Sequence, residues 1–393
     1  MHILIAGGGI GGLTAALCLK QAGHSVTVLE QAEAFGEVGA GLQLSPNAMK
    51  VYRKLGLEDA LVERGFTPEA AEIRLGESGQ RLFAFPLADE AENRWGAPYL
   101  HIHRADLIDV LREAALDQPD ITLRTGAMVE SYSQDQDTVA VSLVDGGEEQ
   151  GDLLIGADGI HSAIRTQMLG ADKPQFTGNV AWRGTVPIEA LGEHAPDPNA
   201  TIWLGRGKHV VTYRLRQGTL ANFVGVVEHS KFRNESWSEE GAKAEAMADF
   251  EGWHPIVTTM IEAAPRLFRW GLFGRPTLPK WSNGRVVLLG DACHPMLPFM
   301  AQGAAQAIED AYMLGVLLRE PIDIEAALHD YEVARKPRAS RVQAVSKSNA
   351  TLFHHRNPLM RLATYGPMWM AGRLAPRAIM ARQDWLYAHD VTR

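Results

Sequence analysis

Gly7, Gly9 and Gly12 fill the three slots of a G-x-G-x-x-G turn, with Gly8 and Gly11 as further small residues. The first slot makes a tight turn, the second lets a pyrophosphate approach the backbone, and the third lets helix and strand pack closely. The turn follows an apolar run at 3–6 and opens a helix-like stretch at 11–22. Free N–H groups and the positive end of a helix dipole would therefore face a phosphate. Glu30 ends a second β-rich run at 25–29, where a carboxylate can accept ribose hydroxyls. A solvated strand-end charge is the plain alternative. Strand, turn, helix, strand and acid together predict a dinucleotide site without saying which dinucleotide.

Two later clusters have related geometry. Gly156-Ala157-Asp158-Gly159 follows the apolar run 153–155 and leads into a helix past Ser162 and Arg165. Gly290-Asp291-Ala292-Cys293-His294-Pro295 follows a buried-type strand at 285–289, with Pro298 and Gly303 beyond it. Each reads minimally as a capped turn. A carboxylate at the mouth of a parallel strand can instead hold polyol hydroxyls, such as a ribityl chain. A helix starting near 302 would aim its positive end into the same space and favour a reduced flavin's negative charge.

These residues need elements to hold them. Helices are expected at 47–55, 104–116 and 302–318, and short strands at 72–75, 81–85 and through 121–155. Residues 176–275 change character, with strand-like runs at 180–187, 201–204, 209–215 and 220–227 and helices near 239–250 and 254–263. From 323 onward the pattern is helical, and Pro358, Pro367 and Pro376 are expected to break it into short pieces.

Composition narrows the class. The chain has 393 residues, 46 % hydrophobic, with a formal net charge of −9. That charge argues against nucleic acid or an anionic membrane as partner. The two cysteines, Cys18 and Cys293, form no CxxC, so no metal site or disulfide framework is expected, and Cys18 reads as a small packed residue. No apolar run approaches the ~18 residues of a membrane span. The first strand begins at once, so a cytoplasmic location is expected.

The three glycine-bearing motifs resemble the signatures of single-component (class A) FAD-dependent aromatic monooxygenases over essentially the whole chain. Residues 37–43, 103–107, 294–298, 309–310 and 384–387 are similar to the salicylate hydroxylase and 3-hydroxybenzoate 6-hydroxylase group. The resemblance implies an α/β fold: a Rossmann-like FAD-binding domain, an inserted sheet-based substrate domain and a helical C-terminal region. The FAD-binding part would span 1–175, with substrate-lobe strands interleaved near 70–100. The substrate sheet would span 176–275, the flavin-contacting part 276–340 and the helical region 341–393. Gly7, Gly9, Gly11, Gly12, Glu30, Arg104, Asp158, Asp291, Gly303 and Ala304 would hold tightly bound, non-covalent FAD. In the resembled pattern Arg104 contacts the diphosphate or ribose, Asp291 the ribityl chain, and Asp158 the pyrophosphate and a transient nicotinamide nucleotide.

The implied reaction uses NADH or NADPH to reduce FAD and O2 to form a flavin C4a-hydroperoxide, which hydroxylates an electron-rich ring. Such a site needs an acceptor for the ring's hydroxyl proton and an apolar lining. His209 and Tyr213 are the candidate polar pair, four apart on a strand and so on one face. The group resembled has His-x-x-x-Tyr followed by proline, whereas this chain has Arg214. Gln302 is a candidate for a substrate carboxylate. His294 reads as structural, Arg183 as bracing the sheet with pairing to a substrate anion as the alternative, and Met296, Phe299 and Met300 as pocket lining. The expected partner is a small aromatic substrate, such as salicylate or 3-hydroxybenzoate. 6-Hydroxynicotinate, urate or a polyketide ring are alternatives, and a homodimer is left open. Other readings are a flavin oxidase or dehydrogenase acting on amines or lipids, or a non-redox binding protein on the same scaffold, as in Rab GDP-dissociation inhibitors.

Overall fold

The structure, a computed structural model, describes residues 1–36, 40–229, 239–320 and 323–393; Glu37, Val38 and Gly39 of the glycine-rich stretch lie outside the described residues. One sheet has six strands in the order Ser282–Asn283, Val286–Leu288, Leu153–Gly156, His2–Ala6, Ser25–Leu29 and Ile121–Arg124. Every neighbouring pair runs parallel except the short Ser282–Asn283 edge. The central strand is apolar from Ile3 to Ala6 because it is covered on both faces, and Ile3, Leu4 and Ile5 are fully buried. Ala6 pairs with Leu29 and Gly156, and Gly156 pairs with Leu288. Four strands thus end level, and the three glycine-bearing turns leave from the same edge, where parallel sheets bind ligands.

Helix Ile10–Gln21 rises from the first turn and packs on helix Gly303–Leu317. Close approach requires small residues. A Cβ on Gly11 would come within 2.6 Å of Leu289, and one on Gly315 within 2.9 Å of the Cys18 Cβ. Cys18 is accordingly a small buried residue, and Cys293 is buried too.

A second sheet has seven strands in the order Phe268–Gly274, Gln175–Pro187, Leu220–Glu228, Lys208–Leu215, Ala200–Gly205, Ala70–Leu75 and Arg81–Pro86. Helices Lys243–Asp249 and Pro255–Ala263 cover one face through Trp182, Trp203, Phe223, Phe250, Trp253 and Val257. Strand alternation then decides where Lys208–Leu215 points its side chains. Val210 and Thr212 serve the helix-covered face, with Thr212 Oγ1 accepting from Trp203 Nε1 at 2.9 Å. His209, Val211 and Tyr213 face a cavity on the other side.

The tail differs from expectation at one proline. Pro358 and Pro376 lie in the first turns of helices Pro358–Leu374 and Pro376–Ala381, but Pro367 lies inside the former. A helical proline forfeits one backbone hydrogen bond and strains the preceding turn. Tyr365, Met368 and Trp369 on the same helix pack against the second sheet and keep it continuous.

Helix Gly303–Leu317 carries two wholly buried acids, Glu309 and Asp310. Arg335, buried on helix Ile324–Phe353, bonds Glu309 and donates Nε to Asp310 Oδ1 at 2.8 Å. Arg338 donates to both Glu309 oxygens, at 2.7 and 2.9 Å. His294 Nε2 lies 2.5 Å from Asp310 Oδ2, which also accepts the Gly290 N–H at 3.2 Å. Burial pushes the Glu309 carboxyl upward, but Arg335 and Arg338 outweigh it and hold its pKa at about 2. Removing one partner from such a cluster strands a buried charge. Arg335→Ala is therefore expected to cost about 3–5 kcal/mol, read as a lowered denaturant midpoint; an unchanged midpoint would show that the cluster is not holding the fold.

Candidate active site

A cavity of about 840 Å³ lies between the second sheet, the Asp291 turn and the C-terminal helices, and its lining does not include the first glycine turn or Glu30. That volume lies in the range of cofactor and ligand sites. Arg104, Asp291, Gly303 and Ala304 line one part, and His209, Phe299 and Phe353 another.

The glycine turn is built for a ligand at one position only. A Cβ on Gly12 would sit 2.0 Å from the Gly7 carbonyl oxygen, and one on Gly7 2.4 Å from the Ala157 oxygen, so both glycines serve packing. A Cβ on Gly9 would meet nothing within 4 Å. That open cradle at the start of helix Ile10–Gln21 fits a pyrophosphate. Beside it, Glu30 accepts from Gly8 N at 2.7 Å and Ala32 N at 2.9 Å. A carboxylate has roughly four lone-pair sites, so these two bonds fix its aim and leave capacity for ribose hydroxyls.

Asp158 lies against the same turn, its Cα 3.0 Å from where a Gly7 Cβ would be. Its side chain caps helix Ala163–Leu169, with Oδ2 accepting from Ile164 N at 3.2 Å. Ile160 and His161, rather than Asp158, reach the cavity wall.

Asp291 is exposed where it opens onto the cavity, and the rest of the protein lies close around its carboxyl. Burial raises its pKa, opposed by His294, Arg104 and Arg165. Arg104 begins helix Arg104–Leu116, and its N–H donates to Ala40 O at 2.8 Å. A Cβ on Gly303 would be 3.8 Å from Asp291 Oδ1, so Asp291, Gly303 and Ala304 form one corner at the helix's positive end. The preceding Ala301 holds φ +51°, a left-handed conformation unusual for alanine. These groups fit the pyrophosphate, polyol and anionic ring edge of FAD.

The Gln302 amide is engaged within the protein. Nε2 donates to Ser45 Oγ at 2.8 Å and Oε1 accepts from Asn47 Nδ2 at 3.2 Å, so the side chain anchors the helix start. His209 and Tyr213 share a face, as strand periodicity requires, but four residues of strand separate them by about 13 Å. They cannot both hold one ring hydroxyl. Tyr213 stands at the Gly41 end, where a Gly41 Cβ would be 2.7 Å from its hydroxyl. His209 stands among Phe299, Phe353 and His354, at ring distances of 5.4, 5.2 and 5.0 Å. His209 is 2 % exposed, and burial, then His354, holds its pKa well below the ordinary value. Arg183 lies on the cavity wall with its guanidinium 5.5 Å from the Trp270 ring centre. Met296, Phe299 and Met300 line the cavity.

The sequence matches the FAD binding domain family over residues 1–346. The chain belongs to that family. It is 41 % identical over 361 residues to 6-hydroxynicotinate 3-monooxygenase of Bordetella bronchiseptica, covering 91 % of this chain and 93 % of that protein. It is 35 % identical over 397 residues to 3-hydroxybenzoate 6-hydroxylase 1 of Aquipseudomonas alcaligenes, covering 99 % and 98 %. The crystal structure of Klebsiella pneumoniae HpxO complexed with FAD and uric acid matches with a TM-score of 0.87 at 31 % identity, covering 99 % of this chain and 97 % of that one. The protein is an FAD-dependent aromatic-ring monooxygenase using NAD(P)H and O2. Among the described residues no helix is long and apolar enough to cross a membrane, and no three or more His, Cys, Asp or Glu side chains gather as metal ligands.

Sequence reading missed one wall of this monooxygenase's cavity. Asn349, Leu352, Met368, Ile379 and Tyr387 come from the C-terminal helices, and Gln383 from the turn between the last two. Helical spacing reports which residues share a face and not what that face meets. His354 was missed as well; its only signal was the His354-His355-Arg356 cluster beyond a helix end.

The glycine geometry separates cofactor loss from misfolding. Gly9→Ala should leave apoprotein stability within about 0.5 kcal/mol of wild type, yet weaken FAD binding roughly tenfold or more by filling the cradle. Gly12→Ala should destabilise the fold itself. Flavin titration and thermal melts of both variants decide this; equal FAD affinity in Gly9→Ala would remove Gly9 from the phosphate site.

Proposed function

We propose that the enzyme hydroxylates a single planar ring bearing a hydroxyl and a carboxylate, of the hydroxybenzoate or hydroxynicotinate type, with NADH as reductant. The observation that carries this reading is His209, an imidazole buried on the cavity wall among aromatic rings. Its Nδ1 is engaged by His354 at 2.7 Å, which leaves Nε2 for a ligand. Two relatives are named for 6-hydroxynicotinate and 3-hydroxybenzoate, each a one-ring hydroxylated monocarboxylate.

Bound FAD supplies the redox and oxygen chemistry, and the chain supplies position, charge and dryness. Neutral His209 accepts the ring hydroxyl's proton, which makes the ring electron-rich. Met296, Phe299, Met300, Leu352 and Phe353 keep water from that end of the cavity. Arg183 places positive charge on the same wall, where it favours an anionic substrate. At the other end, Asp291 and the start of helix Gly303–Leu317 orient the cofactor.

A panel of salicylate, 3-hydroxybenzoate, 6-hydroxynicotinate, urate and a polyketide phenol tests the substrate class, scored by both NADH oxidation and product mass. Conversion of only the one-ring carboxylates is the expected outcome; conversion of urate or the polyketide alone would defeat the assignment. His209→Ala should lose about 10²–10⁴ in hydroxylation rate while retaining its flavin spectrum. Product formation at the wild-type rate would remove His209 from the reaction.

A further inference from the structure

His209 is a poor place to store a proton, because a buried imidazolium is costly among Phe299 and Phe353. Such a group takes a proton readily only if it passes another on in the same event. The structure holds a route for that. His209 Nδ1 lies 2.7 Å from His354 Nε2, and His354 Nδ1 lies 3.4 Å from Glu228 Oε1. Glu228 is 35 % exposed, and its second oxygen is 2.7 Å from Arg356, which is 67 % exposed. Three separate elements contribute. His209 comes from strand Lys208–Leu215, His354 caps the end of helix Ile324–Phe353, and Glu228 ends strand Leu220–Glu228.

We propose that His354 and Glu228 form a proton exit from the cavity to solvent, acting through His209. The proposal rests on the assignment of His209 as the acceptor. Nε2 of His209 takes the proton of the bound ring hydroxyl while His209 Nδ1 gives its own proton to His354 Nε2. His354 Nδ1 gives its proton to Glu228, whose acid form releases it to water. Each O–H or N–H bond broken is matched by one formed. Both imidazoles begin and end neutral with their tautomers inverted, and once Glu228 has given the proton to water the net change is one anionic ring and one proton in solvent. No buried cation is made at any stage.

The charges around His354 suit this role. Burial lowers its pKa, opposed by Glu228, to about 4, so the ring is neutral near pH 7 and can relay rather than hold a proton. Arg356, the other charge acting on His354, pairs with Glu228 at the solvent end of the route. His354 and Glu228 are thus positioning and relay groups at the far side of His209 from the ligand.

The test is proton release from the FAD-loaded enzyme into weakly buffered solution, followed by stopped flow with an indicator dye after mixing with 3-hydroxybenzoate or 6-hydroxynicotinate. Glu228→Gln and His354→Ala are expected to slow release about tenfold or more, with probe affinity within about twofold of wild type. Added imidazole should restore release in His354→Ala, which a purely structural role would not allow. Glu228 lies partly in solvent, so Glu228→Gln remains decisive if His354→Ala folds poorly. Wild-type release rates in Glu228→Gln would overturn the exit. Wild-type rates in His209→Ala, or binding of both probes to the wild-type enzyme without proton release, would instead overturn the acceptor assignment beneath it.

Discussion

The buried cluster of Glu309, Asp310, Arg335 and Arg338 is the constraint on which the cavity's geometry depends. Two acids and two guanidinium groups balance in charge, so the protein can carry them in its interior. Replacing the whole set with apolar groups would not have to destabilise the fold, but losing one member would. The cluster's value lies in what it ties together. Asp310 holds the Gly290 backbone and His294. Arg338 also donates to the carbonyls of Trp385 and Leu386, at 3.1 and 2.9 Å. The turn bearing Asp291, the helix that begins at Gly303 and the C-terminal segment are therefore fixed as one unit around the cofactor corner.

A second constraint is length. The strand Lys208–Leu215 runs along the cavity and presents His209 and Tyr213 at its two ends. Tyr213 belongs with Gly41, near the cofactor corner, while His209 belongs with the aromatic end and the helix Ile324–Phe353. One strand thus serves two tasks that must stay apart. One end is polar and bounded by charge, and the other is apolar, with His209 set among aromatic rings.

Gln302 illustrates how tertiary contacts reassign a plausible residue. Its position beside the helix start predicts proximity to a ligand, and the residue does line the cavity. Its amide nevertheless satisfies Ser45 and Asn47, because an unpaired buried amide would be costly. Asp158 behaves in a related way: it lies at the first glycine turn and spends an oxygen on capping a helix.

By itself the sequence determined the parts governed by local rules. Local backbone sterics require glycine at Gly12, period-two alternation puts His209 and Tyr213 on one face, and apolar runs ending in glycine mark the strands whose turns converge. Tertiary structure alone decided what each face meets. It brought His354 to His209 across 145 residues, ran helix Pro358–Leu374 through Pro367, and made the C-terminal helices a cavity wall. Those outcomes depend on packing between elements distant in the chain, and neither spacing nor propensity within a segment encodes its partner.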